Sequence, residues 1–236
     1  MAIRGILFDK DGTIVDYWRT WVPVNREAAL HAAGGDARLA AELLQLGGHD
    51  PGTDRITPGA PLAAGDFMDI ANAFAAHPDL PSASELVADI EAVFVKGGAM
   101  HSQLIDGVHA ALGALHRRGL RLGIATNDSV AGIETSMTQH DILHLFDFVA
   151  GADSGYGAKP DPRMGLAFCQ AVGLAREEVA VVGDAVHDLA MGRAAGLGLT
   201  IGVLSGTSAR DDLAPLADLI VASVAELPGR PEFVAL

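Results

Sequence analysis

The sequence predicts an α/β fold in which a parallel-sheet core carries an all-helical domain inserted after its first strand. Three observations predict it. From about residue 107 onward, short apolar runs alternate with helical patterns, as in parallel sheets covered by helices. The stretch over residues 16–98 is alanine-rich with helical spacing and shows no strand pattern. Polar residues directly follow three of the apolar runs.

The first strand is predicted at residues 3–8, an apolar run that ends at an acidic turn containing glycine. Clusters of glycine and proline then separate the predicted helices of the insertion, which are residues 27–33, 37–46, 66–76 and 84–94. This pattern assigns residues 1–15 and 99–236 to the core and residues 16–98 to the inserted helical domain.

Strands and helices alternate in the rest of the core. The predicted strands are residues 120–125, 148–150, 179–182, 199–203 and 219–221, with a Ser/Gly/Thr turn after the fourth. The predicted helices are residues 107–118, with Asp106 as a candidate N-cap, and residues 130–140, 162–172 and 188–195. Such alternation indicates a Rossmann-like sheet, whose ligand site lies at the carboxyl ends of the strands.

Composition and charge narrow the classes of function. Half of the residues are hydrophobic, so a packed core is expected, and the formal net charge of -14 disfavours binding to nucleic acid, which needs clustered Lys and Arg. Cys169 is the only cysteine, in keeping with a reducing compartment. The apolar start of the chain is too short for a signal segment or a membrane span, so we expect a cytoplasmic protein with no membrane partner.

Two carboxylates follow the first predicted strand. Asp9 and Asp11 lie two residues apart, so both side chains point the same way in extended backbone. Close like charges need a cation or a shared proton. A carboxylate cluster suits Mg²⁺, which prefers oxygen ligands and phosphate partners. Asp184, after a later strand, can complete the cluster, and Asp188 would support it from the next helical turn.

Three further residues are placed to bind an anion. Lys159 is followed by two prolines within three residues, which stiffen the backbone and would hold its ammonium group facing the acids. Thr126 and Asn127 follow another strand and can donate side-chain hydrogen bonds. The backbone N–H groups after Asn127 would add to them. Lys10 is predicted to point away from the neighbouring acids and is left out of this set.

These residues resemble the four sequence motifs of the haloacid dehalogenase superfamily. The motifs are Phe8-Asp9-Lys10-Asp11-Gly12-Thr13, Thr126-Asn127, Lys159-Pro160 and Gly183-Asp184 with Asp188. Their order and spacing both fit, over residues 1–15 and 100–225. The insertion resembles a C1-type cap, the helical lid that closes over the site in this superfamily, and the overall pattern resembles phosphoglycolate phosphatases.

The resemblance implies a Mg²⁺-dependent phosphatase that hydrolyses a small phosphate monoester. Asp9 would attack phosphorus and form an aspartyl-phosphate, and Asp11 would protonate the leaving oxygen and then activate water. Mg²⁺ would be held by the Asp9 carboxylate, the backbone carbonyl of Asp11 and Asp184. The residues that would bind the phosphoryl group are Thr126, Asn127 and Lys159.

The substrate and two alternatives stay open at this point. Phosphoglycolate is the best single guess for a small phosphorylated substrate, and Arg19 is a candidate for binding it. The presence of Asp11 favours phosphoryl transfer, because the dehalogenases of the superfamily lack an acid there. A phosphosugar mutase would use the same Asp9 and Asp11, so that the acceptor need not be water. A non-catalytic scaffold that binds a partner is the alternative of another class. Oligomeric state is not predicted.

Overall fold

The computed structural model describes residues 2–233. Its contacts divide the chain into two compact units. One contains the residues up to Tyr17 and those from Gln103 onward, and the other is Trp18–Ser102. Among the described residues, no helix combines the length and the apolar character needed to cross a bilayer.

The first unit is built on a six-stranded parallel sheet with the order β3-β2-β1-β4-β5-β6. Its strands are β1 Gly5–Phe8, β2 Arg121–Ala125, β3 Phe148–Ala150, β4 Val179–Gly183, β5 Leu199–Val203 and β6 Leu219–Val221. The order of strands reverses between β1 and β4, and open parallel sheets bind ligands at such a switch point. The predicted Rossmann-like core is therefore confirmed.

Helices cover both faces of this sheet. They are α6 Val108–Arg117, α7 Val130–Gln139, α8 Arg163–Val172, α9 Val186–Ala195 and α10 Arg210–Leu213. Successive side chains of a strand point to opposite faces. Accordingly, Phe8 packs in one apolar cluster with Leu112 of α6, whereas Leu7 packs in another with Phe168 of α8. The cap of α6 is Gly107, at φ 83°, so the prediction of Asp106 as its N-cap is wrong.

The second unit takes its regular structure from five helices. They are α1 Tyr17–Ala32, which starts at the last residue of the first unit, α2 Ala37–Leu46, α3 Pro61–Ala64, α4 Phe67–Ala75 and α5 Ala83–His101. Buried Leu43, Phe74 and Phe94 belong to one apolar cluster, and the Trp21 ring stacks on Phe94 with 5.9 Å between centroids. This cluster gives the unit a core of its own.

Candidate active site

Three carboxylates meet at the carboxyl edge of the sheet. Asp9 follows β1, Asp184 follows β4, and Asp188 lies in the first turn of α9. One oxygen from each carboxylate lies within 4.8 Å of the others, and all three residues are buried. Because β1 and β4 are neighbours in the sheet, segments that are far apart in sequence bring these acids together.

Lys159 lies inside this cluster. Its Nζ donates hydrogen bonds to Asp9 Oδ1 and Asp188 Oδ1, each at 2.5 Å, and its side chain is 1% exposed. Asn127 Oδ1 accepts a hydrogen bond from the Lys159 backbone N–H at 2.8 Å. The Asn127 side chain thus anchors the backbone that carries the lysine.

The cluster carries an excess of negative charge, since three carboxylates surround one ammonium group. Burial raises the pKa of Asp9 to about 7 against the opposing effect of Lys159, and the charges of Asp188 and Asp11 add to the rise. Burial, Asp9 and Asp188 also raise the pKa of Asp184 well above its ordinary value. Burial disfavours ionised Asp188 too, but Lys159, His187 and the Ala185 N–H together outweigh it, and the pKa of Asp188 is lowered.

A divalent cation fits this donor set. Carboxylate oxygens are the ligands that hard cations such as Mg²⁺ take. A doubly charged ion would balance the excess charge and would relieve the repulsion that raises the pKa values of Asp9 and Asp184. The cluster contains the carboxylate of Asp188, whereas the sequence prediction used the backbone carbonyl of Asp11 and gave Asp188 a supporting place.

The loop after β5 packs against Asp184. The Thr207 N–H donates a hydrogen bond to Asp184 Oδ2 at 2.9 Å, and Ser205 Oγ donates one to the Gly12 carbonyl at 2.7 Å. A Cβ atom on Gly206 would overlap the Asp184 carboxylate, so the backbone can approach this closely only with glycine. The sequence predicted a Ser/Gly/Thr turn here but gave no signal that it supports a candidate metal ligand.

Lys10 contacts Asp11, so the prediction that it points away from both neighbouring acids is wrong. Its Nζ lies 2.7 Å from Asp11 Oδ2 and 3.0 Å from Asp128 Oδ2. The chain turns at Gly12, which has φ 83°, so the strict alternation of an extended strand does not continue through this segment. Burial opposes the charged form of Lys10, but Asp11 and Asp128 outweigh it and hold the pKa of Lys10 above its ordinary value.

Thr126 and Asn127 follow β2, and the loop after them is held by side-chain hydrogen bonds. Thr126 is buried. The backbone N–H groups of residues 128–130 donate in order to Thr126 Oγ1, to the carboxylate of Asp128 and to the carboxylate of Asp153. The expectation that the N–H groups after Asn127 are offered to an anion is therefore wrong for this conformation.

Arg19 lies in the first turn of α1, within the second unit, and its contact with a substrate stays a prediction. Two other arginines of that unit are paired with acids. Arg26 Nη2 lies 2.5 Å from Asp54 Oδ1, and Arg38 Nη1 lies 2.6 Å from Glu42 Oε1. These pairs engage part of the small positive charge that the helical unit carries.

Comparison with known proteins places the chain among hydrolases. Residues 3–196 match the family model of haloacid dehalogenase-like hydrolases. The chain is 31% identical over 218 residues to the phosphoglycolate phosphatase of Salmonella typhi, and the alignment covers 85% of this chain and 82% of that protein. It is 26% identical over 196 residues to the N-acetylmuramic acid 6-phosphate phosphatase of Pseudomonas putida. This alignment covers 83% of this chain and 81% of that protein.

Solved structures share the fold. A protein from Thermotoga maritima that is described as a β-phosphoglucomutase superposes with a TM-score of 0.72, over 96% of this chain and 97% of that one. The sequence identity is 18%, so this likeness concerns the fold alone.

Proposed function

The chain belongs to the haloacid dehalogenase-like hydrolase family and is a phosphatase, and from this premise we propose that it hydrolyses a small phosphate monoester with Mg²⁺ as cofactor. One observation carries the proposal: the buried cluster of Asp9, Asp184 and Asp188, with Lys159 bound inside it, at the carboxyl edge of the sheet. Phosphoglycolate is the proposed substrate, because relatives of that activity cover most of the chain at 31% identity.

The proposed reaction has two displacements at phosphorus. In the first, a carboxylate oxygen of Asp9 forms a bond to phosphorus while the bond to the leaving oxygen breaks, and Asp11 gives that oxygen its proton. In the second, Asp11 takes a proton from water, whose oxygen attacks phosphorus. The bond to Asp9 then breaks and inorganic phosphate leaves.

The remaining site residues are proposed to bind the metal ion and the phosphoryl oxygens during both steps. Asp9, Asp184 and the backbone carbonyl of Asp11 are the proposed ligands of Mg²⁺, which supplies charge that offsets the approach of an anionic nucleophile to an anionic phosphate. Lys159, Thr126 and Asn127 are the proposed partners of the phosphoryl oxygens.

Asp188 is proposed to position Lys159. Its Oδ1 accepts a hydrogen bond from Lys159 Nζ at 2.5 Å, and its Oδ2 accepts one from the Ala185 N–H at 3.0 Å. Both oxygens of Asp188 are therefore engaged, one by the lysine and one by the backbone that begins α9. A carboxylate held at both ends is a rigid support for the ammonium group.

In this proposal residues 16–98 form a C1-type cap domain, residues 1–15 and 99–236 form the core, and Arg19 of the cap domain contributes to substrate recognition. Hydrolysis is favoured over a phosphosugar mutase reaction. A mutase must hold a bisphosphate intermediate while that molecule reorients in the site, which requires basic groups. Arg26 and Arg38 are already paired with acids. The acids and the lysine that catalysis requires disfavour a non-catalytic scaffold.

The test measures phosphate release from phosphoglycolate, p-nitrophenyl phosphate and a hexose phosphate, with Mg²⁺ present or removed by a chelator. We expect Mg²⁺-dependent turnover that is lost in Asp9→Asn and kept in Lys96→Met, which removes an exposed lysine of the second unit. Turnover of no ester in a broad panel would refute the proposal. Isomerisation of the hexose phosphate without phosphate release would favour the mutase.

A further inference from the structure

A second buried lysine lies beside the proposed general acid. The Lys10 side chain is 3% exposed, whereas its partners Asp11 and Asp128 are 21% and 23% exposed. Taking an ammonium group out of water is strongly unfavourable unless it is paired and hydrogen-bonded. The two carboxylates therefore fix where Lys10 Nζ lies, and the lysine in turn restrains both of them.

Asp128 ties this contact to the neighbouring strand end. Its Oδ1 accepts the Ser129 N–H at 2.6 Å, and its own N–H donates to Thr126 Oγ1 at 3.1 Å. Asp128 Oδ2 is the oxygen that contacts Lys10. One oxygen of Asp128 is thus held by the loop after β2 and the other by the lysine, so Lys10 joins the turn after β1 to that loop.

We propose that Lys10 is a positioning residue that acts through Asp11, holding its carboxylate in the orientation from which it protonates the leaving oxygen. This inference rests on the proposed function, because it requires Asp11 as general acid. A carboxylate at the surface of a turn can rotate about two side-chain bonds, and an anchored ammonium group removes that freedom. Proton transfer depends steeply on such alignment.

Lys10→Met tests the proposal, because methionine keeps an unbranched apolar side chain and removes the charge. An alkyl phosphate has a poor leaving group that needs protonation, whereas p-nitrophenolate leaves as a stable anion. We expect kcat/KM to fall roughly 10-fold or more with ethyl phosphate and at most about 3-fold with p-nitrophenyl phosphate. kcat/KM reports the steps up to cleavage of the ester, so it includes protonation of the leaving oxygen and excludes the later hydrolysis of the aspartyl-phosphate.

A double-mutant cycle shows whether the effect passes through Asp11. If it does, Lys10→Met causes no further loss with ethyl phosphate when Asp11→Asn is already present. Asp128→Asn removes the carboxylate charge that anchors Lys10 and keeps both Lys10 and Asp11, and we expect a smaller loss with the same dependence on the leaving group. This variant keeps the proposal testable if Lys10→Met fails to fold. Lys96→Met, at an exposed position, is the matched control and should leave both esters unaffected.

Two results would overturn the inference. Equal losses of kcat/KM for the two esters, or additive losses in the Asp11→Asn background, would show that Lys10 supports the loop without orienting the acid. Either result, with an active wild type, leaves the proposed function standing. If the wild type turned over neither ester, the proposed function would fail and the inference would fail with it.

Discussion

Lys159 and Lys10 each bridge two carboxylates, but their surroundings differ. The partners of Lys159 are enclosed, with Asp9 8% and Asp188 1% exposed, and a third buried acid lies beside them. The partners of Lys10 are about one-fifth exposed. An enclosed cluster with excess negative charge needs a bound cation or extra protons to balance it, whereas a cluster in contact with water can be stable alone and serve for orientation.

The largest effect is expected from breaking the enclosed cluster. Lys159→Met removes the charge that contacts Asp9 and that would bind the phosphoryl group in the proposed mechanism, so we expect kcat/KM to fall roughly 10²–10³-fold, similarly for ethyl phosphate and p-nitrophenyl phosphate. The measurement is steady-state kinetics on the two esters, alongside Lys10→Met. A loss confined to ethyl phosphate would mean that the two lysines do not differ in the way their surroundings indicate.

Gly206→Ala sharpens the comparison by displacing an acid of the enclosed cluster alone. A methyl group here would overlap the Asp184 carboxylate. We expect the affinity for Mg²⁺ to fall about 10–100-fold, as for other losses of support around a metal ligand. Calorimetric titration with Mg²⁺ measures this without turnover. Gly229→Ala is the control, because a Cβ atom there would meet no atom within 4 Å. Equal affinities in both variants would show that Asp184 is not a ligand in the proposed metal site.

Arg19→Ala tests whether a residue outside both lysine clusters contributes to substrate recognition. If Arg19 pairs with the carboxylate of phosphoglycolate, its loss should raise KM for that substrate about 10-fold, since a charged hydrogen bond is typically worth about 1.5–3 kcal/mol. KM for p-nitrophenyl phosphate should stay the same. Arg38→Ala is the matched control, because the Arg38 guanidinium is paired with Glu42 in the native chain. An unchanged KM for phosphoglycolate would end the candidacy of Arg19.

The smallest expected effect is on the free energy of unfolding, which should depend on pH through the carboxyl groups of the enclosed cluster. The pKa of Asp9 in the folded chain is about 7, above the value of about 4 expected when unfolded, so the folded state binds the extra proton. Its contribution to stability is therefore present below about pH 4 and is lost as the pH rises through about 7. The Asp184 carboxyl acts in the same direction.

In the proposed metal site Mg²⁺ would bind the ionised carboxylates, so its stabilising effect should grow as protons leave. We expect saturating Mg²⁺ to raise Tm by about 5 °C at about pH 8 and by much less at about pH 5. Calorimetry at the two pH values measures the difference, and Asp9→Asn should reduce it. A rise in Tm that is the same at both pH values would contradict the charge balance assigned to the enclosed cluster.

Much of the core fold follows from local sequence signals. The strands Phe148–Ala150, Leu199–Val203 and Leu219–Val221 coincide with those predicted, because apolar runs bounded by turn residues mark strands directly. The start of α1 was missed. This helix begins at Tyr17, whereas the prediction began at residue 27, because its first half contains aromatic residues and Pro23 in place of the alanine pattern. The last helix of the second unit likewise runs beyond residue 94, to His101.

The sequence predicted the site residues only where their position follows from the topology of the sheet. Asp9 and Asp184 directly follow parallel strands, and the ends of such strands meet at one edge. The contact of Lys10 with Asp11 could not be predicted, because it depends on the turn at Gly12. The packing of Gly206 on Asp184 depends on how two distant loops meet, which neither periodicity nor spacing records.

The stereochemical course at phosphorus tests the central claim most directly. A phosphorothioate monoester, in which sulfur and two oxygen isotopes make phosphorus chiral, is hydrolysed in water labelled with the third oxygen isotope, and the configuration of the released thiophosphate is determined. Attack by Asp9 followed by attack of water gives two in-line displacements, each of which inverts the centre. The account therefore predicts net retention, whereas net inversion would show that water attacks the ester directly and that Asp9 is not the nucleophile.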